Sequence, residues 1–261
     1  MILDSHAHLD MPEFNKDRTD VISKATEAGV GAIISIGIDA GSTLKAVKLA
    51  EDYSIIRAAA GLHPNMLKSS NEDDFTQISR LAEHPLVVAI GETGFDYYRH
   101  YSDKEAQKRA FMWHLELSYK LNKPFVIHCR QAEDDLLAIL FDWVFDKSKE
   151  IKGVIHCFNG SLKIAQTYLK LGFHLSLGGY ITYPSARDMA NIIRKLPLDR
   201  LLVETDCPFL PPQKYRSQRN EPSYITHTVN KLAEIKGLPV DEVARITADN
   251  TSRLFNLSKI N

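Results

Sequence analysis

The feature that most constrains what this chain can fold into is a repeated alternation. Short apolar, β-rich runs recur along its whole length, at Ile2 to His6, Gly31 to Gly37, Ile55 to Leu62, Leu86 to Gly91, Pro124 to His128, Gly153 to Cys157, Phe173 to Leu177 and Arg200 to Thr205. The segments between them read as helices. Asp103 opens one with Lys104, Glu105 and Lys108, and Leu115, Leu117, Tyr119 and Leu121 lead it to the stop signal Asn122-Lys123-Pro124. Parallel neighbours in a sheet need a long crossover, usually a helix, so this alternation specifies parallel β/α units. Eight such units in 261 residues fit one TIM (β/α)8 barrel, a single domain over 1–261. The competing arrangement, an open doubly wound sheet, lacks its dinucleotide fingerprint here, because Gly29, Gly31 and Gly37 form no G-x-G-x-x-G. Neither a repeat nor a linker divides the chain.

Charge and cysteine content narrow the function classes. Lys and Arg total 32 against 33 for Asp and Glu, so no overall basic field holds nucleic acid, and such a role needs a local patch. No apolar run approaches the roughly 18 residues of a membrane helix, and the opening Met1 to His8 carries no basic leader. Three cysteines, Cys129, Cys157 and Cys207, suit a reducing compartment. The expectation is a soluble, cytoplasmic protein without a membrane association; no protein partner is inferred.

Metal-ligating side chains gather at the strand ends. His6 and His8 close the first run, Glu92 the fourth, His128 the fifth, His156 the sixth and Asp206 the eighth. Side chains alternate along a strand, so His6 and His8 point the same way. In a barrel the carboxyl ends of the strands form the catalytic mouth, and these six groups converge there. Six ligands exceed what one tetrahedral ion needs, so two divalent ions are expected, with the native metal left open among zinc, magnesium and manganese. Glu92 is the expected bridge, His6 and His8 serve one ion, and His128 and His156 the other. Asp206 binds either ion or takes a proton from bound water. Glu204, two residues earlier and one layer deeper, either orients a ligand or shares a proton. His63, in Gly61-Leu62-His63-Pro64, is read as a substrate or proton-donor group. The cysteines each follow a candidate ligand and are expected to face the helices as small buried groups. His84, His100, His114, His174 and His227 are read as structural or surface residues.

Several segments together resemble the TatD family of metal-dependent deoxyribonucleases: Asp4-Ser5-His6-Ala7-His8-Leu9-Asp10, Gly91-Glu92-Thr93-Gly94-Phe95-Asp96-Tyr97, Val126-Ile127-His128-Cys129-Arg130, His156-Cys157-Phe158-Asn159-Gly160 and Glu204-Thr205-Asp206-Cys207-Pro208-Phe209-Leu210. Arg219-Asn220-Glu221-Pro222 and Asn250 to Phe255 extend the likeness to the C-terminus. The resemblance implies a metal barrel of the amidohydrolase kind that hydrolyses phosphodiester bonds in DNA, with ligands at His6, His8, Glu92, His128, His156 and Asp206. Asn159 stands where the family often has serine and Asn65 where it often has histidine, departures that touch substrate preference rather than the ligands. The substrate expected is single-stranded DNA cut from its 3′ end. Arg130, and Lys214, Arg216 and Arg219 in the irregular stretch Pro208 to Pro222, are candidate phosphate contacts, while Tyr97, Tyr98 and Tyr215 are candidate base-stacking platforms. The alternative is a small-molecule or aminoacyl-ester hydrolase using the same metals.

Overall fold

Eight parallel strands, each hydrogen-bonded to the next in chain order, form the sheet of the computed structural model, which describes residues 1–146 and 151–257. Residues 147–150 and 258–261, included in the expectation of one domain over 1–261, lie outside the described residues. The strands are β1 (Ile2–Ala7), β2 (Val30–Ile36), β3 (Ile56–Ala60), β4 (Val87–Asp96), β5 (Phe125–Arg130), β6 (Gly153–Ile155), β7 (His174–Leu177) and β8 (Leu201–Val203). A single parallel bridge between Ala7 and Cys207 brings β8 back to β1, so the barrel is nearly closed. Helices α1 (Arg18–Glu27), α2 (Ala40–Asp52), α3 (Glu72–Ala82), α4 (Lys104–Leu121), α5 (Glu133–Asp146), α6 (Leu162–Lys170), α7 (Arg187–Lys195), α8 (Ile225–Lys236) and α9 (Val240–Phe255) follow the strands. The caps of α4 are those read from the sequence. The Asp103 carboxylate accepts the Ala106 N–H at 2.8 Å, and Asn122 ends the helix in the left-handed region at φ 49°.

Two apolar layers separate inside from outside. Alternate strand residues such as Ala32, Ile34, Ala59, Ala89, Val126 and Leu202 fill the barrel, and Leu254, Phe255 and Leu257 at the end of α9 join that inner cluster. The intervening residues pack outward against the helices. The Asn250 amide donates to the Leu198 and Leu201 carbonyls at 2.9 Å, which fixes α9 at the start of β8. The floor of the barrel is thereby closed largely with apolar side chains, and the candidate metal ligands lie at the opposite end.

Strict alternation does not carry the inner face all the way to the mouth on β1 and β4. On β1, Leu3 faces the barrel interior, so uninterrupted alternation would turn His6 outward. The pairing with β2 slips there, from Asp4 opposite Ile33 to Ala7 opposite Ser35, which places an extra residue on β1. The Asp4 carboxylate holds this bulge, accepting the His6 N–H at 3.2 Å, the Thr205 N–H at 3.0 Å and the Thr205 hydroxyl at 2.6 Å. The same slip occurs on β4, from Ile90 opposite Phe125 to Thr93 opposite Ile127, and it re-aims Glu92 inward. β4 also runs beyond the Gly91 expected to end it, because Gly94 lets β4 lie against β5. A Cβ there would collide with the His128 carbonyl.

Candidate metal centre

Glu92 is the hub of the mouth. Its two carboxylate oxygens face different sets of imidazoles. Oε2 lies 3.3 Å from His6 Nε2 and 3.7 Å from His8 Nε2. Oε1 lies 2.8 Å from His156 Nε2, 2.9 Å from His128 Nδ1 and 3.4 Å from His63 Nε2. Asp206 joins the Oε2 side, with Oδ1 3.4 Å from His8 Nε2 and 3.7 Å from His6 Nε2. His156 bridges the two sides, its ring stacked on His6 at 4.0 Å between centroids. Among the described residues, His6–His8–Glu92, His6–His156–Asp206 and His63–Glu92–His128 each bring their ligand atoms within 4.8 Å of one another. All six candidate ligands, and His63 with them, therefore meet at one place.

The electrostatics follow from burial and from this crowding. Burial pushes the Glu92 carboxyl up, yet His156, His63 and His6 outweigh it and hold it well below the usual carboxylate range. Asp206 is likewise pushed up by burial and pulled below its ordinary value by His8 and His6. Burial and the neighbouring His156 lower His6, whereas Glu92 and Glu204 more than offset burial at His156 and raise it.

The outer nitrogen of each ring decides which nitrogen carries hydrogen in the neutral form. His8 Nδ1 faces the Ile36 carbonyl at 3.4 Å, His128 Nε2 faces Asp96 Oδ2 at 3.3 Å, and His156 Nδ1 faces Glu204 Oε1 at 3.5 Å. At His8 and His128 a hydrogen-bond acceptor behind the ring holds the N–H outward and leaves the inward nitrogen with a free lone pair, and at His156 the Glu204 charge favours the same tautomer without a hydrogen bond. These three rings are thus set up as ligands. His63 is arranged the other way round. Its Nδ1 accepts the Asn65 N–H at 3.0 Å, so the neutral ring carries its hydrogen on Nε2, toward Glu92. Crowded lone pairs, such as His6 Nε2 and His8 Nε2 at 3.2 Å and His128 Nδ1 and His156 Nε2 at 3.2 Å, are the donor set a divalent cation requires.

Asp96 is a residue the strand-end reading passed over. It is buried, accepts the Asn65 amide at 3.1 Å and the Tyr98 and Arg99 N–H groups at 3.0 and 2.9 Å. These bonds and His128 outweigh burial and hold its carboxyl well below the usual range. Glu92, Gly94 and Asp96 share one parity on β4, so period two would have found it had the strand been continued past Gly91. Asn65, noted as a departure from the family pattern, ties the His63 turn to this carboxylate. Glu204 is fully buried and accepts the Cys157 N–H at 2.6 Å while facing His156.

The basic and aromatic candidates divide. Arg130 is exposed at the end of β5 with its guanidinium 3.8 Å from the Tyr98 ring, and Arg216 is exposed with its guanidinium 4.1 Å from the Tyr183 ring. Arg219 departs from the expected phosphate contact. It donates to both Asp17 carboxylate oxygens at 2.8 and 2.7 Å and to the Glu13 carbonyl at 2.7 Å, and lies over the Phe14 ring, so it straps the loop after β8 to the loop after β1. Tyr97 donates to Asp135 at 2.6 Å, and Tyr215 is stacked on Tyr224 at 3.8 Å, so both are engaged within the chain. Cys207 follows expectation and is fully buried, while Cys129 faces α6 as expected, accepting the Tyr168 hydroxyl at 3.8 Å, but is only half-buried. Cys157 does not follow expectation, because β6 stops at Ile155 and a left-handed backbone at φ 48° turns it into the wall of a cavity beside the mouth. His114 is structural, accepting the Leu62 N–H at 3.0 Å and donating to the Ala110 carbonyl at 2.7 Å; burial lowers it to about 4.

The TatD related DNase family model matches residues 3–256. YabD of Bacillus subtilis, an uncharacterized metal-dependent hydrolase, is 38% identical over 258 residues, covering 99% of this chain and 100% of the relative. YcfH of Escherichia coli, likewise an uncharacterized metal-dependent hydrolase, is 36% identical over 259 residues, covering 98% of this chain and 96% of its own. The crystal structure of YjjV, a TatD homolog from Escherichia coli, superposes with a TM-score of 0.91 at 34% identity over 98% of both chains. No helix among the described residues is long and apolar enough to cross a membrane.

Proposed function

Because this chain belongs to the TatD family of metal-dependent hydrolases, we propose that it hydrolyses phosphodiester bonds in DNA, as a 3′ exonuclease on single strands, at a centre for two divalent ions bridged by Glu92. The observation that carries the reading is the split of one buried carboxylate, Oε2 toward His6 and His8 and Oε1 toward His128 and His156.

His6, His8 and Asp206 would hold one ion and His128 and His156 the other. When bound, such ions supply an acidified water and neutralise the charge of the phosphodiester. The protein's own groups do the rest. Asp206 accepts the proton of the attacking water, since its carboxyl is ionised and sits beside His8 at the mouth. His63 donates a hydrogen bond from Nε2, the nitrogen beside Glu92, to a phosphate oxygen of the entering substrate, because the Asn65 N–H occupies its other nitrogen. Glu204 orients His156 and so sets which nitrogen it offers. Arg130 and Arg216 take the flanking phosphates from opposite sides of the mouth, each supported by a tyrosine ring.

The test is incubation of the purified protein with end-labelled single-stranded and duplex DNA, with and without chelator. The expected result is stepwise shortening of the single strand from its 3′ end, abolished by chelation and restored by a divalent cation. Intact DNA alongside rapid hydrolysis of small or aminoacyl esters would replace this reading with the small-molecule one.

A further inference from the structure

A cavity of about 480 Å³ opens between the loops that follow β6, β7 and β8, a size within the range of about 300–1,000 Å³ typical of small-molecule sites. It adjoins the candidate centre. Cys157 in its wall directly follows His156 and donates its N–H to Glu204, and Leu210 in its wall belongs to the loop that starts at Asp206. Two tyrosine rings, Met189 and Leu210 give the cavity an apolar lining. Both rings are fixed through their hydroxyls, Tyr180 donating to the Phe158 carbonyl and Tyr183 to the Pro211 carbonyl at 2.8 Å. The polar groups offered are Asn159, an amide with donor and acceptor, Asp188, an exposed carboxylate, and Ser185, an exposed hydroxyl.

This combination offers a phosphate no cation and sets Asp188 against it, and suits a flat, uncharged group that hydrogen-bonds at its edge. Arg216, a cation outside the lining, lies over the Tyr183 ring. We propose that the cavity receives the nucleobase of a nucleotide flanking the scissile bond, with its phosphate left at the rim near Arg216. The proposal rests on the nuclease reading above and adds to it a base-binding subsite with Asn159 and Asp188 at the hydrogen-bonding edge.

Two measurements on the whole protein test it. Cleavage rates are compared for single strands that carry either a normal or an abasic residue on one or the other side of the scissile bond, and binding of the free nucleosides adenosine and thymidine is followed by ligand-observed NMR. Ala186→Trp fills the cavity, and Ser185→Trp does so from the exposed rim should the first variant fold poorly. The expected result is that removing one of the two bases lowers kcat/KM about tenfold, that the Trp variants erase this preference while cutting the abasic strand as before, and that they abolish nucleoside binding. Cleavage of DNA at equal rates with and without either base would overturn the subsite and leave the nuclease reading intact. Nucleoside binding that the Trp variants abolish, in a protein that cuts no DNA, would support the subsite and remove the nuclease reading.

Discussion

On the Oε2 side of Glu92 the imidazoles are closed off from solvent, with side-chain exposures of 0% for His6 and 4% for His8, and a carboxylate, Asp206, reaches them directly. On the Oε1 side His63 and His128 keep 13% and 16% exposure, with His156 at 6% closing the seam to the other side, and the carboxylates Asp96 and Glu204 stand behind the His128 and His156 rings. A carboxylate in direct reach adds full charge to a cation site, while one behind a ring acts only by fixing the ring and raising its basicity. In the proposed two-ion centre this makes the Oε2 side the one suited to retention and the Oε1 side the one suited to exchange and substrate access. Glu92 couples the two.

Removing the coupling carboxylate should do the most damage. Glu92→Ala is expected to lower hydrolysis by about 10³-fold or more, since several kcal/mol of charge stabilisation are lost, while circular dichroism and thermal unfolding show a folded barrel. Near-normal turnover at saturating metal would mean that the two sides work independently.

The histidine outside the centre gives the contrast for pH. His114 is buried neutral, lowered by burial from 6.5 to about 4, so the unfolded chain takes up its proton more readily than the folded one. Its contribution is intact above pH 6.5 and lost as the pH falls from 6.5 toward 4, about 3 kcal/mol across that window. Denaturant titrations of the wild type and His114→Gln at pH 7 and 4.5 should show a smaller pH dependence in the variant. Equal slopes would show that the acid sensitivity belongs to the mouth instead.

Asp96→Asn sharpens the comparison from one side only. It removes the charged acceptor behind His128 and should weaken binding of the Oε1-side ion by about 10- to 100-fold, leaving the Oε2-side ion unchanged in competitive chelation. Loss of both ions in parallel would contradict the division.

The smallest effect separates two arginines that look alike in sequence. Arg216→Gln should reduce the single-strand log-log salt slope by roughly 0.7. Arg219→Gln should leave that slope unchanged and instead lower stability by breaking the strap to Asp17, a half-exposed ion pair worth at most about 1 kcal/mol. The reverse pattern would return Arg219 to the phosphate-binding set.

These particulars show where the sequence was legible. Alternation of apolar runs and helices identified every strand, and strand-end position singled out the groups that meet at Glu92, because both follow from local pattern. His128 and His156 follow simple alternation. His6 and Glu92 reach the mouth only through bulges, and what holds the β1 bulge, the Asp4–Thr205 contact, joins residues at opposite ends of the chain. Asp96 is hidden because Gly91 reads as a strand end, whereas a Cβ there would collide with the Val126 carbonyl of the neighbouring strand, a mark of close packing. The fate of Arg219 was equally hidden, since its partner Asp17 lies in a loop more than half the chain away.

The central claim, two unequal ion sites sharing one carboxylate, is tested most directly by counting the ions bound per chain by mass spectrometry during stepwise chelation of the wild type and Asp96→Asn. The account predicts two ions in the loaded wild type, lost in two separable steps, with only the weaker step moved by Asp96→Asn. One ion per chain, or two ions lost together and equally affected by the variant, would contradict it.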